Sequence, residues 1–375
     1  MTKGPGRFPS IMASYDQVPS PAGLVAAQTI APRSVEEAAH VLGAAAADDV
    51  SVGFAGSGSS LELGGSRPYG LGMVSSGIAG IIDWQPEDLT VVVGSGMTVG
   101  DLEDHLATRH QTAFLPVEDP ARTVGGVIAE GASAYSRLKY GPMRDRVLET
   151  TMATGYGEAV RGGGRLVKNV TGYDVPRLVT GSMGSLGFIA TVCFKLWPVA
   201  PVRRVVQVED AAAALAMLFR PVAVLETDDG CFVHLEGSEG DVAAQTSAVG
   251  GQYVHEDQLP RRIELPVGAS IRIAPRSIAV ALDVVHAAHP TRWVAQHGVG
   301  VIEAGWSDLD RATFRELRRS IEMLGGRVVL RRGGPGFASV DPWGLQPESQ
   351  AIQKRMKELF DPSSICNPGK LPGGM

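Results

Sequence analysis

The sequence predicts an α+β fold, and three observations carry that prediction. Segments of helical and strand period alternate along residues 1–200, separated by clustered glycines. Beyond Pro198–Pro201 the chain continues as mixed strands and helices, which marks a domain boundary. The C-terminus then closes on an amphipathic helix stopped by Asp361-Pro362. With 375 residues the chain is long enough for two domains, or for one domain with a large insertion. We therefore divide it into residues 1–200, an inserted domain at 201–345, and a C-terminal helix and tail at 346–375 that return to the first part.

Each element has a local reason. Ser34-Val35-Glu36-Glu37 is a capping box that opens a helix, with Val35, Ala38, Ala39 and Leu42 on one face. Val50 to Phe54 alternates like a strand and runs into Ala55-Gly56-Ser57-Gly58-Ser59-Ser60. A second strand is expected at Leu89–Val93, and Thr98-Val99-Gly100-Asp101 begins a helix carrying Val99, Leu102 and Leu106. Val192–Trp197 reads as a strand, Asp210–Phe219 as an Ala-rich helix, and Cys231–Leu235 and Ile271–Ile273 as strands. Thr313-Phe314-Arg315-Glu316 reads as another capping box, with Phe314, Leu317, Ile321 and Leu324 as its stripe and Gly325 as its end. The last helix is expected at Pro347–Phe360, with Ile352, Met356 and Leu359 turned inward.

Composition excludes several functions. Hydrophobic residues make up 44% and charged residues 20%, which fits a compact domain. The net charge of −6, without a long basic run, argues against nucleic acid or an anionic membrane surface as the main partner. Arg161-Gly-Gly-Gly164-Arg165 accordingly reads as a hairpin between strands, not as an RNA-binding tract. The N-terminus lacks a signal-type apolar core and no apolar run spans a bilayer, so a cytoplasmic location without direct membrane insertion is expected. Cys193, Cys231 and Cys366 are far apart and read as small buried hydrophobes; no metal site is expected, and an iron–sulfur cluster would need about four thiolates.

The chemistry concentrates in three glycine-rich segments. Gly56, Ser57, Gly58, Ser59 and Ser60 follow a strand, where backbone N–H groups can converge on a phosphate. Alone, that loop reads first as an ordinary Gly/Ser turn; it lacks the Lys-Ser/Thr of a Walker loop and the register of a Rossmann turn. Thr123-Val124-Gly125-Gly126 opens the second segment, and Gly181–Ile189, read as a loop like the others, is the third. Three such segments in one half of the chain suit a dinucleotide, whose pyrophosphate, ribose and ring each need close backbone approach.

Those runs, with Leu138–Leu148 and Lys168-Asn169-Val170-Thr171-Gly172-Tyr173-Asp174, resemble the FAD-linked oxidoreductases of the vanillyl-alcohol oxidase type. Within that group the chain is similar to the FAD-binding E subunits of bacterial glycolate oxidases, from about residue 20 to the C-terminus. The resemblance implies a PCMH-type FAD-binding domain of two α/β subdomains with an α+β cap. It implies that Gly56–Ser60 form the first pyrophosphate loop and that Pro116, Thr123, Val124, Gly125 and Gly126 line the flavin and its phosphates. It places Arg144 and Asp145 at the edge of the site, Gly187 and Ile189 at the adenine end, and Asn367 and Lys370 as residues closing on the flavin.

Relatives that bind FAD covalently carry a His in the first loop; here that position is Ser59, which implies non-covalent FAD. The paired cap histidines of D-lactate and glycolate dehydrogenases have no match. His297 is the best remaining candidate for a base, although packing explains it as well, and Lys168 is a candidate to stabilise reduced flavin or else a surface lysine. The implied function is that of an FAD-binding subunit in a complex that oxidises a small 2-hydroxy acid to a 2-oxo acid. Its partners would be a catalytic FAD subunit and an iron–sulfur subunit, with peripheral attachment to the inner membrane through them. A stand-alone oxidoreductase, or an accessory subunit without substrate chemistry, remain the alternatives.

Overall fold

The computed structural model describes residues 15–65, 67–165 and 174–375. It divides into two compact units. The first comprises Met1–Ser133, Pro142–Pro198 and Gln346–Met375; the second comprises Ala134–Gly141 and Val199–Leu345.

The first unit contains two principal sheets. A three-stranded parallel sheet runs in the order Thr29–Ile30, Leu71–Val74, Val52–Ala55. The helix Val35–Ala47 covers it, and Ala38, Val41 and Leu42 are fully buried against Val52, Leu71 and Met73. Ser34 caps this helix, accepting from Glu37 N at 3.2 Å, while the Glu37 carboxylate accepts from Arg33 N at 2.7 Å. A five-stranded antiparallel sheet follows in the order Ile81–Gln85, Thr90–Gly94, Gly187–Lys195, Val147–Thr154, Ala159–Gly163. The helix Val99–Ala107, capped by Thr98, buries Val99, Leu102 and Leu106 in its core. Arg161-Gly162-Gly163 is therefore an edge strand, not a turn; Arg161 pairs with the buried Glu149 at 2.7 Å.

The second unit is built on one eight-stranded antiparallel sheet in the order Gln252–Val254, Val202–Val208, Gly230–Gly237, Ala223–Thr227, Arg292–Gln296, Val301–Trp306, Val267–Arg272, Arg327–Arg332. Its main core joins Ala295, Ile302 and Ala304 from the strands to Leu282 and Val285 of the helix Ile278–Ala287. The helix Arg311–Met323 adds Phe314, Leu317 and Ile321. A second cluster packs Ala211 and Ala214 of the helix Ala211–Met217 on Val206, Val224 and Val233.

Two sequence expectations need correction here. The helix expected to open on Thr313 begins at Arg311. Asp310 is its cap, accepting from Ala312 N at 2.7 Å and Thr313 N at 3.0 Å, because a free carboxylate satisfies two orphan N–H groups at once. The last helix spans Gln350–Phe360 and turns the other way round from its apolar pattern: Ile352 and Leu359 are 67% and 58% exposed, while Lys357 is 4% exposed. The reason is a buried carboxylate, Asp361, one turn beyond Lys357. Among the cysteines, Cys193 and Cys366 are buried and Cys231 is half-buried; burial pushes the Cys193 thiol up to about 12.

Candidate functional site

The three glycine segments meet in the first unit. The strand Val52–Ala55 delivers Gly56–Ser60 to one wall of a cleft of about 730 Å³, counted to its solvent edge. Thr123, Gly125 and Gly126 form a second wall, and Met183, Gly184, Gly187 and Ile189 a third. Asn367 and Lys370 arrive from the C-terminus. The closeness of these walls is itself the reason for glycine: a Cβ on Gly56 would stand 1.8 Å from Thr123 Oγ1, and one on Gly184 2.7 Å from Asn367 Nδ2.

The second segment is a helix, Val124–Glu130, not the loop its glycines suggested. Thr123 caps it, accepting from Gly126 N at 3.3 Å. Helical period splits the segment. Gly125, Gly126, Ala129 and Glu130 line the cleft, whereas Val124, Val127 and Ile128 are fully buried in the core behind it. Val124 thus contributes packing and not a cleft side chain. Pro116 is also absent from the lining; it is a buried residue after Leu115. Arg144 and Asp145 are absent as well, and they are largely solvated. Asp145 accepts from Arg177 Nη2 at 2.8 Å, and Arg144 Nε lies 3.9 Å from Asp145 Oδ1.

Asn367 and Lys370 spend their polar groups on the cleft walls themselves. Asn367 Oδ1 accepts from Phe54 N at 2.8 Å, and its Nδ2 donates to Met183 O at 2.7 Å, tying the first strand to the third segment. Lys370 Nζ donates to the carbonyls of Leu61, Leu63 and Gly65, which fixes the turn after Ser60. Burial, reinforced by the nearby Arg67 charge, pushes the Lys370 ammonium down to about 8.

Sequence reading missed several cleft residues. The Glu130 side chain is buried, accepts from Ser60 Oγ and pairs with buried Arg122. A carboxylate among small residues was the signal available for it. Ser75 and Ser95 also line the cleft, and their buried hydroxyls lack hydrogen-bond partners. Phe54, Phe188 and Leu61 supply apolar surface. The combination suits a dinucleotide: backbone-lined walls, unpartnered hydroxyls and a few aromatic faces, with no His or Cys among the lining residues.

Of the two catalytic candidates, Lys168 lies outside the described residues. His297 lies in the second unit after the strand Arg292–Gln296, is 5% exposed, and its Nε2 is 2.7 Å from Glu226 Oε2. Among the described residues no group of three His, Cys, Asp or Glu side chains is placed to hold a metal ion, and no helix is long and apolar enough to cross a membrane.

Comparison with known proteins agrees with this geometry. Residues 26–163 match the family model described as an FAD binding domain. The chain is 29% identical to the glycolate oxidase subunit GlcE of Escherichia coli, over 78% of this chain and 84% of that one. It is 31% identical to a D-lactate dehydrogenase of Archaeoglobus fulgidus over 97% of this chain and 96% of the relative. The glycolate oxidase subunit GlcD of Bacillus subtilis is 34% identical over 50% of this chain, a match spanning 40% of that protein. Among solved structures, an alkyldihydroxyacetonephosphate synthase superposes with a TM-score of 0.65 at 14% identity, covering 91% of this chain and 75% of the other. That likeness extends the fold match across both units.

Proposed function

The chain belongs to the FAD-linked oxidoreductases, and we propose that it serves as the FAD-binding subunit of a glycolate oxidase-like complex that oxidises a 2-hydroxy acid to a 2-oxo acid. The observation that carries this reading is the glycine-walled cleft in a chain matching a GlcE subunit over 84% of that subunit's length. When bound, FAD would supply a two-electron acceptor for the hydride of the substrate carbon. The chain's own residues do the rest. Gly56–Ser60 present backbone N–H groups to the pyrophosphate, and Lys370 holds that turn in place. The adjoining apolar surfaces of Phe54 and Phe188 keep water from the ligand. Val124 acts, in this reading, by packing in the core behind the cleft.

FAD is held non-covalently. Ser59 lines the cleft where covalent relatives carry His, and no His or Cys stands among the lining residues to form a flavin bond. Residues 201–345 form the substrate domain. There the Glu226 carboxylate holds the His297 ring in place, an arrangement suited to taking the hydroxyl proton. Electrons then pass to a catalytic FAD subunit and an iron–sulfur subunit, which also hold the protein at the cytoplasmic face of the membrane.

The purified chain is expected to be yellow and to release its flavin into the supernatant on acid precipitation. Colourless protein that fails to bind added FAD would refute the cofactor assignment; flavin remaining with the precipitate would refute non-covalent binding. Dye-linked oxidation of glycolate or D-lactate is expected with co-expressed partners. Anaerobic bleaching of the isolated chain's flavin by either acid would show that it performs the chemistry unaided.

A further inference from the structure

Ser75 follows the strand Leu71–Val74 and is 5% exposed; Ser95 follows the strand Thr90–Gly94 and is fully buried. Three of their main-chain groups are paired. Ser95 N donates to Ala190 O at 2.9 Å, its carbonyl accepts from Gly125 N at 2.8 Å, and Ser75 O accepts from Ile78 N at 3.0 Å. The two Oγ atoms are buried without partners. Native proteins rarely bury a hydroxyl in that state, because each loses its hydration and gains nothing in return.

The other hydroxyls that line the cleft are engaged within the protein. Ser60 donates to Glu130, Ser57 donates to Ser59 Oγ at 3.4 Å, and Thr123 accepts from Gly126 N. Ser75 and Ser95 therefore keep their hydrogen-bonding capacity unused beside the same cleft. A hydroxyl both donates and accepts, so each suits a phosphate oxygen, a ribose hydroxyl or a ring carbonyl.

We propose that Ser75 and Ser95 are cofactor-binding residues whose hydroxyls hydrogen-bond to polar atoms of FAD. The inference rests on the assignment of this cleft to FAD. It assigns to the free protein two unsatisfied groups that the cofactor relieves, so the two serines trade stability of the empty protein for affinity.

That trade has a signature with opposite signs. In Ser75→Ala and Ser95→Ala the flavin-free protein should keep or raise its thermal midpoint, because a stranded polar group has been removed. FAD affinity, read by quenching of flavin fluorescence, should fall about tenfold in each, the order of one lost hydrogen bond, and about a hundredfold in the double variant. Unchanged affinity in both single variants would overturn the proposal. So would a lowered midpoint of the flavin-free variants, which would mean that buried water already satisfies the hydroxyls. If the unaltered chain bound no FAD, the cofactor assignment would fall and this inference with it; if it bound FAD and the variants matched it, this inference alone would fall.

Discussion

Replacing Lys357 by methionine removes the one buried residue of the helix Gln350–Phe360, and the structure sets the scale of the loss. Lys357 Nζ donates to Ser185 O and Cys366 O, each at 2.7 Å, and to the Asp361 carboxylate. Asp361 is fully buried and also accepts from Ile365 N at 3.1 Å and Cys366 N at 2.8 Å. Two backbone bonds do not replace a cation, so the variant leaves an uncompensated buried charge, a change that costs about 3–5 kcal/mol. Methionine fills most of the volume, which keeps cavity effects small. The assay is urea unfolding of the flavin-free protein at neutral pH, followed by tryptophan fluorescence, with Lys357→Met/Asp361→Asn in parallel. The double variant should recover a large part of the loss, since it removes the stranded charge. A single variant within about 1 kcal/mol of the parent would place the pair in the class of weak surface bridges and refute the reasoning. FAD affinity should fall with the single variant too, because Cys366 adjoins Asn367 and Ser185 lies two residues from Met183, which Asn367 holds.

Three other outcomes follow from the same geometry. His234 is buried beside Arg203 and Lys139, and burial above all holds its imidazole down to about 3 against 6.5 for the free group. Its contribution to stability is therefore complete above pH 6.5 and is lost as pH falls toward 3. At pH 4.5, two units below the free value, the loss is about 3 kcal/mol, and His234→Gln should flatten that part of the pH profile in denaturant titrations. Lys370, lowered to about 8, has three N–H donors for three carbonyls only while protonated. An anionic pyrophosphate near the turn it holds favours the protonated form, so FAD affinity should weaken as pH rises above 8, by at most about tenfold per unit. In Lys370→Met that slope should vanish in flavin titrations. Gly184→Ala should destabilise the first unit by about 1–2 kcal/mol in urea melts, because φ is +69° and the new methyl meets the Asn367 amide.

Local chemistry made much of the fold legible. Capping by Ser34 and Thr98, the glycine segments, and the apolar stripes of the helices Val99–Ala107 and Arg311–Met323 all depend on residues within a turn or two of one another. What escaped was set by distant partners. Lys357 reads as a solvated helix lysine until Ser185, 172 positions earlier, is placed beside it. Val124–Glu130 reads as a loop because its glycines weaken helix propensity; they are there because Gly125 and Gly126 face a cleft while Val127 and Ile128 fill a core. Ser75 and Ser95 carry no motif at all, and only their burial without partners singles them out.

The cleft is thus less a property of its glycine loops than of what holds them apart. Asn367 joins a strand 313 positions upstream to the segment at Met183, and Lys370 gathers three carbonyls of the turn after Ser60. Behind them, Val52 N donates to Ile365 O and Asn367 N to Val52 O, extending the parallel sheet by one bridge. These contacts engage the polar groups of Asn367 and Lys370, so their contribution to binding is positional. Hydrogen-bonding capacity left for a ligand resides instead in the loop backbone and in two hydroxyls. The tail that sets the cofactor walls follows Leu345, so those walls join segments from both sides of the second unit's sequence.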